Sequence, residues 1–272
     1  MHVPVVVLGG GPGGYAAAFL AADLGMQVAL VERDTRLGGT CLLRGCIPSK
    51  ALLHVGRVLA ETREMEEWGI RFTKPAIDLD ALRARKDKVI ATLTGGLGQL
   101  AKRRNVTIVH GTARFTNSTT LEIAPAGPGA ASQRITFDHC ILASGSRPAR
   151  IPAFDIGSPR VLDSTTALDL ADIPESLLVV GGGYIGLEMG TVYAELGSRV
   201  SVVELTDTLL PGADRDLVKP LQKRLEGLFE KIRLKTKVVK LEDRGGHVTV
   251  HFEGPEGQST QDFSRVLVAV GR

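Results

Sequence analysis

The strongest constraint on this chain is that one stretch of it occurs twice. VVVLGGGPGGYAAAFLAADLGMQVALVE, residues 5–32, overlays LLVVGGGYIGLEMGTVYAELGSRVSVVE, residues 177–204, with a constant offset of 172 positions. Each copy opens with a short apolar run, turns through Gly-x-Gly-x-x-Gly, continues in helix-forming residues and returns as an apolar run closed by a glutamate. The pattern reads strand, turn, helix, strand, and its duplication sets the architecture of most of the chain.

Within each copy the glycines have separate tasks. Gly9 and Gly181 permit the tight turn out of the strand, Gly11 and Gly183 let a pyrophosphate approach the backbone, and Gly14 and Gly186 allow close helix–strand packing. The amides and dipole at the helix start attract the anion. Glu32 and Glu204 lie about 20 residues further on, where a carboxylate accepts hydrogen bonds from ribose hydroxyls. A single such fingerprint is weak evidence, because glycine turns also serve purely structural ends. Here strand, helix, terminal acid and duplication agree, and two dinucleotides are expected. A carboxylate at Glu204 repels a 2′-phosphate, and Leu205, Thr206 and Asp207 bring no basic cluster. The second site is therefore expected to prefer NAD to NADP, with Arg199 and Arg215 as the cations that could reach it.

A length of 272 residues suits two domains. The net charge of +3 gives no reason to expect a nucleic acid partner, and 43% hydrophobic with 23% charged residues is ordinary for a soluble globular protein. Apolar runs are strand-sized, and the chain enters its first strand with no signal peptide before it, so no membrane and a cytoplasmic setting are expected. In that setting two close cysteines, Cys41 and Cys46, suggest metal or redox chemistry rather than a structural disulfide. In an ideal helix they would face about 140° apart. Bonding them needs a distorted turn, which Gly45 and Pro48 permit. A zinc site would need two further ligands. Cys140, in an apolar run, reads as packing, and no metal is expected.

The segment GGTCLLRGCIPSKALLH resembles the redox-disulfide segment of the class I pyridine nucleotide-disulfide oxidoreductases, and among them the dihydrolipoamide dehydrogenase branch. GPGGYAAA, the crossover Ala143-Ser144-Gly145-Ser146-Arg147-Pro148, Asp163-Ser164-Thr165 and the final Val270-Gly271-Arg272 agree with it in order, so the resemblance covers the whole chain. It implies an α/β fold of two Rossmann-like domains with parallel sheets and a small antiparallel β-meander in each. Residues 1–148 would bind FAD and carry the disulfide, and residues 149–272 would bind NAD. Electrons would pass from a dihydrolipoyl dithiol through a Cys41–Cys46 disulfide and FAD to NAD.

By the same resemblance, Cys41 is the interchange thiol that meets the substrate and Cys46 the thiolate facing the flavin. Lys50 lies beside the flavin and pairs with Glu188, which stands where the first copy has Ala16. On the residues alone, Glu188 reads rather as part of a solvated helix face. FAD is expected around Gly9, Gly11, Gly14, Glu32, Arg33, Gly39, Thr40, Lys50, Ala113, Ser144, Gly145 and Ser146. NAD is expected around Gly181, Gly183, Tyr184, Ile185, Gly186, Glu204, Val238 and Gly271. Tyr184 is either an aromatic cover for the flavin or a simple packing residue.

Elsewhere, apolar periodicity predicts helices over residues 52–68, 79–104 and 217–228, with Gly95-Gly96 interrupting the second as a close packing point. Strands are predicted at 106–109, 113–115, 120–123 and 134–137, with a turn at Gly127-Pro128-Gly129, and near 238–239, 248–250 and 266–270. The resemblance implies as partners a lipoyl-bearing protein of a 2-oxoacid dehydrogenase or glycine cleavage complex, and a second copy in a homodimer. Family members continue past the equivalent of Arg272 with a second flavin segment and an interface domain that supplies a histidine base. The chain is thus expected to be the first part of a longer enzyme, weak or inactive in the complete reaction. Glutathione and mercuric reductases are the nearest alternatives, and a non-catalytic nucleotide-binding fragment is the alternative from another class.

Overall fold

The computed structural model describes residues 1–125 and 131–272, so the turn expected at 127–129 lies outside the described residues. The first half of the chain runs β1 (His2–Leu8), α1 (Pro12–Asp23), β2 (Val28–Glu32), α2 (Gly39–Arg44), α3 (Cys46–Glu64), α4 (Leu79–Arg103), β3 (Thr107–His110), β4 (Thr112–Asn117), β5 (Thr120–Ala124) and β6 (Gln133–Leu142). There follow β7 (Val161–Leu162), α5 (Ser164–Leu168), β8 (Ser176–Val180), α6 (Tyr184–Leu196) and β9 (Arg199–Val203). The chain ends with α7 (Arg215–Leu228), β10 (Lys231–Arg233), β11 (Lys237–Asp243), β12 (Val248–Gly254), β13 (Gly257–Phe263) and β14 (Arg265–Val268).

Two compact units result, one of Met1–Pro48 with Asp87–Ser146, the other of Ser49–Lys86 with Arg147–Arg272. The border after Ser146 falls beside the expected one, but residues 49–86 group with the second unit rather than the first. The reason is packing. Leu52 is buried with Leu187, Met189 and Val192 of α6, and the Lys86 ammonium donates to the Leu168 carbonyl at 2.9 Å.

In the first unit the strand order is β3-β2-β1-β6-β5-β4. The strands from β3 to β6 are parallel, while β6, β5 and β4 pair antiparallel. The meander is therefore an extension of the parallel sheet: the ten-residue β6 pairs with β5 over Gln133 to Thr136 and with β1 from Thr136 onward. The unbroken apolar run of β1 reflects burial on both faces. Val5, Val7 and Leu30 face α1 and α4 through Ala18, Ile90 and Leu97. Val6, Ala29 and Val31 face the other way, onto Leu121, Ile123, Ile135 and Phe137. Each such aliphatic side chain contributes about 1.5–3 kcal/mol when fully removed from water.

The second unit repeats the plan with a separate back layer. Five parallel strands run β10-β9-β8-β14-β7, and β11-β12-β13 form their own antiparallel sheet. Leu177, Val179 and Val200 pack under α6, and Leu178, Val180 and Val203 pack against Val238, Val250, Phe252 and Phe263 of the antiparallel layer. The short α5 starts at a capping box, in which the Asp163 side chain accepts from the Thr165 and Thr166 amides.

Several features depart from the sequence pattern, the short α2, β7, α5 and β10 among them. Helix α3 begins at Cys46 and gives way after Glu64 to a 3-10 turn over Met65–Trp68. Helix α4 is continuous through Gly95 and Gly96, where an added Cβ would meet nothing within 4 Å; no close packing occurs there. Strand β13 has no sequence counterpart among the expectations, because its residues GQSTQDF are almost all exposed. Among the described residues no helix is long and apolar enough to cross a membrane.

Candidate functional site: two glycine turns and a cysteine segment

The two fingerprints fold alike. Gly9 has φ 109° and Gly181 φ 111°, a region L side chains rarely adopt. A Cβ there would lie 2.2 Å from the Ala143 oxygen and 2.5 Å from the Ala269 oxygen respectively. Behind each turn, a Cβ on Gly14 would fall 1.7 Å from the Gly9 oxygen, and one on Gly186 2.3 Å from the Gly181 oxygen. These four glycines are required by the polypeptide itself.

Gly11 and Gly183 are different. Their φ values, −77° and −78°, suit any residue. A Cβ on Gly183 would meet nothing within 4 Å, and one on Gly11 only the Gly39 Cα at 3.6 Å, an ordinary contact. Neither backbone strain nor packing demands glycine at these two positions. They are the N-caps of α1 and α6, neither of which has a side-chain cap. The first-turn amides and helix dipole are thus left without a side-chain partner from the cap residue, as an anion site would need.

The closing glutamates are held as pairs of acceptors. Glu32, buried, accepts from Gly10 N at 2.6 Å and Asp34 N at 2.9 Å. Glu204 accepts from Gly182 N at 2.7 Å and Thr206 N at 2.8 Å. One amide on each oxygen fixes the carboxylate and leaves lone pairs for ribose hydroxyls.

In the second unit these parts open onto a cleft of about 740 Å³. Gly181, Gly183, Tyr184, Ile185, Glu204, Val238 and Gly271, all named from sequence, line it; Gly186 packs behind the turn instead. Leu205, Thr206 and Val270 line it as well and were not named, although each lies within two positions of a residue that was. Ile151 and Phe154 carried no such signal. Tyr184 is 66% exposed at the mouth of this cleft. Arg199 is paired with Glu175 and Glu230, each at 3.0 Å. Arg215 donates to the Leu209 and Ala213 carbonyls. Both arginines are thus engaged away from Glu204.

In the first unit the cysteine segment abuts its fingerprint. Gly38 N donates to the Gly10 oxygen at 2.8 Å, and a Cβ on Gly39 would lie 2.6 Å from the Gly11 Cα. Gly39 and Thr40 open α2, Cys41 is half-buried within it, and the exposed Cys46 opens α3, where the dipole favours negative charge. Between the two helices Gly45 sits at φ −153° and ψ −112°. Its Cβ would be 2.8 Å from the Thr40 oxygen and 3.4 Å from the Cys41 Cα, so the chain folds tightly back on the first cysteine there. Arg44 of the same segment is paired with Asp34. Arg33 is exposed, as are Ser144, Gly145 and Ser146 beyond β6, while Ala113 lies half-buried on β4. Cys140 is half-buried against the back of the sheet, and burial pushes its thiol pKa up.

Lys50 and Glu188 meet within the second unit. The Lys50 ammonium lies 2.7 and 2.9 Å from the two Glu188 oxygens, joining α3 to α6. The pair fits the expected Lys50–Glu188 contact, with Lys50 56% exposed and Glu188 28%. The buried Ser49 donates to the same carboxylate at 3.2 Å, a third member the sequence did not suggest. Among the described residues no group of three or more His, Cys, Asp or Glu side chains is placed to hold a metal ion.

Residues 3–272 match the family described as pyridine nucleotide-disulphide oxidoreductase. The chain belongs to this family. It is 48% identical over 269 residues to the dihydrolipoyl dehydrogenase of Vibrio parahaemolyticus, covering 98% of this chain and 56% of that protein. It is 50% identical over 268 residues to the dihydrolipoyl dehydrogenase of Haemophilus influenzae, covering 98% and 55%. The HOCl-induced flavoprotein disulfide reductase RclA from Escherichia coli, in its Cu(II) complex, overlays all of this chain with 57% of its own, at a TM-score of 0.84 and 28% identity. The chain thus spans little more than half the length of these relatives. The family's description names a pyridine nucleotide and RclA is described as a flavoprotein, in line with the NAD and FAD that the resemblance implies.

Proposed function

We propose that this chain is the dinucleotide-binding part of a dihydrolipoyl dehydrogenase. FAD sits on the first fingerprint, NAD on the second, and Cys41 with Cys46 forms the redox disulfide. The observation that carries this reading is the second-unit cleft, where seven residues chosen from the fingerprint and the resemblance line one cavity.

The residues present suit both cofactors, since Gly11 and Gly183 leave room for a pyrophosphate and Glu32 and Glu204 present fixed acceptors to a ribose. FAD, when bound, supplies the two-electron carrier between dithiol and nicotinamide. The chain's own residues perform the thiol exchange. A dihydrolipoyl thiolate bonds to the Cys41 sulfur, the Cys41–Cys46 bond breaks, and Cys46 leaves as a thiolate at the start of α3. The second substrate thiol then displaces Cys41, releasing the cyclic disulfide. Within the second unit, Lys50 is held by Glu188 and Ser49. The electron donor on this reading is a lipoyl-bearing protein of a 2-oxoacid dehydrogenase or glycine cleavage complex. Turnover of dithiol by this chain alone is expected to be weak.

Titration of the full chain with NADH, followed by nicotinamide fluorescence, tests the second site. Saturable binding that is lost when a bulky side chain replaces Gly183 is expected. Absence of saturable binding by the unaltered chain would overturn the reading.

A further inference from the structure

The geometry points to Lys237 as a second determinant of which dinucleotide the cleft accepts, an inference that rests on the cleft being the NAD site. The residues after Glu204 in sequence are not basic, yet the fold brings a cation to the same wall. Strand order β10-β9-β8-β14-β7 makes β9 and β10 neighbours at one edge of the sheet. Glu204 follows the end of β9, and the chain leaving β10 runs alongside it: Lys235 N donates to the Thr206 oxygen at 2.8 Å, and Thr236 N to the Glu204 oxygen at 3.0 Å. Lys237 is the next residue, and it lines the cleft together with Glu204 and Thr206.

The Lys237 side chain is exposed. Its cross-strand neighbour is Glu253, but Lys237 makes no ion pair among the described residues. The other charged group lining the cleft, Arg272, follows β14 on the far side of β8, where its guanidinium lies 3.5 Å from the Ser164 hydroxyl. The adenosine side of the cleft therefore carries one anion, Glu204, and one cation, Lys237. A 2′-hydroxyl needs the first; a 2′-phosphate is repelled by the first and attracted by the second. Selectivity for NAD over NADP is on this account a balance between two residues, narrower than Glu204 alone would make it.

Dissociation constants of NADH and NADPH are to be measured for the full chain, Lys237→Met, Glu204→Gln and the double variant, with a thermal melt for each. In the unaltered background, Lys237→Met is expected to lower the NADPH-to-NADH affinity ratio at least fivefold. Glu204→Gln is expected to raise that ratio at least tenfold when Lys237 is present and less than threefold when it is not. High salt should shrink the lysine effect. An affinity ratio that Lys237→Met does not move overturns the role of Lys237 and leaves the cleft reading standing. Failure of the unaltered chain to bind either nucleotide overturns both.

Discussion

Replacing Gly183 with alanine separates what the polypeptide needs from what a ligand needs. The new methyl would meet no protein atom within 4 Å, and the backbone is already in an extended conformation that alanine adopts. Removing glycine's freedom from the unfolded chain stabilises by about 0.4–1 kcal/mol, and alanine is a poorer N-cap than glycine by a similar amount. The two nearly cancel, so stability should stay within about 0.5 kcal/mol of the parent. At Gly186 the same methyl would lie 2.3 Å from the Gly181 oxygen and 2.9 Å from Val179 Cγ1. Overpacking of that kind costs about 1–3 kcal/mol. Urea unfolding should therefore rank Gly186→Ala well below the parent and leave Gly183→Ala beside it. NADH titration should show the converse, with Gly183→Ala weakened at least tenfold, or about 1.4 kcal/mol. If Gly183→Ala binds NADH like the parent, or unfolds as easily as Gly186→Ala, the argument that this glycine answers to a ligand is wrong.

In the FAD-loaded protein, Cys41→Ser should retain long-wavelength thiolate–flavin absorbance, and Cys46→Ser should lose it; the reverse result would exchange the roles assigned to the two sulfurs. Glu188→Gln should slow flavin reduction by NADH about tenfold in stopped-flow. Its stability cost should stay within about 1 kcal/mol, because Lys50 is 56% exposed. Lys240, first, and His251 hold the Glu242 carboxyl well below its usual range, at about 2. Its pKa is lower folded than unfolded, so the associated stability is present above the ordinary glutamate pKa and is lost as pH falls through about 2. Carbon-detected NMR titration should find that midpoint, and Lys240→Met should raise it.

The duplicated turn was legible because its signal is local: Gly9, Gly14 and Glu32 work within one strand–helix–strand unit, and Gly181, Gly186 and Glu204 repeat it. The cleft was legible to the same extent, through Gly183, Tyr184 and Val238. What escaped was set by distant partners. Leu52 belongs to the second unit because its buried neighbours are on α6, more than a hundred residues on. Ser49 reads as an ordinary helix-start serine until Glu188 is seen against it. Lys237 joins Glu204 only because β10 lies beside β9. The exposed β13 offers no alternation to detect, since only Phe263 at its end is buried, and its place follows from pairing with β12.

Glu32 and Glu204 each close a loop with two amides, and on the proposed function the same oxygens meet a ribose. Recognition and scaffold are thus written in one set of atoms. A lineage drifting toward a phosphorylated cofactor could not simply discard Glu204: the amides of Gly182 and Thr206 would lose their acceptor, and the turn that receives the pyrophosphate would loosen with them. Any such change of cofactor would have to begin with a residue that rebuilds the loop, and only then alter the charge.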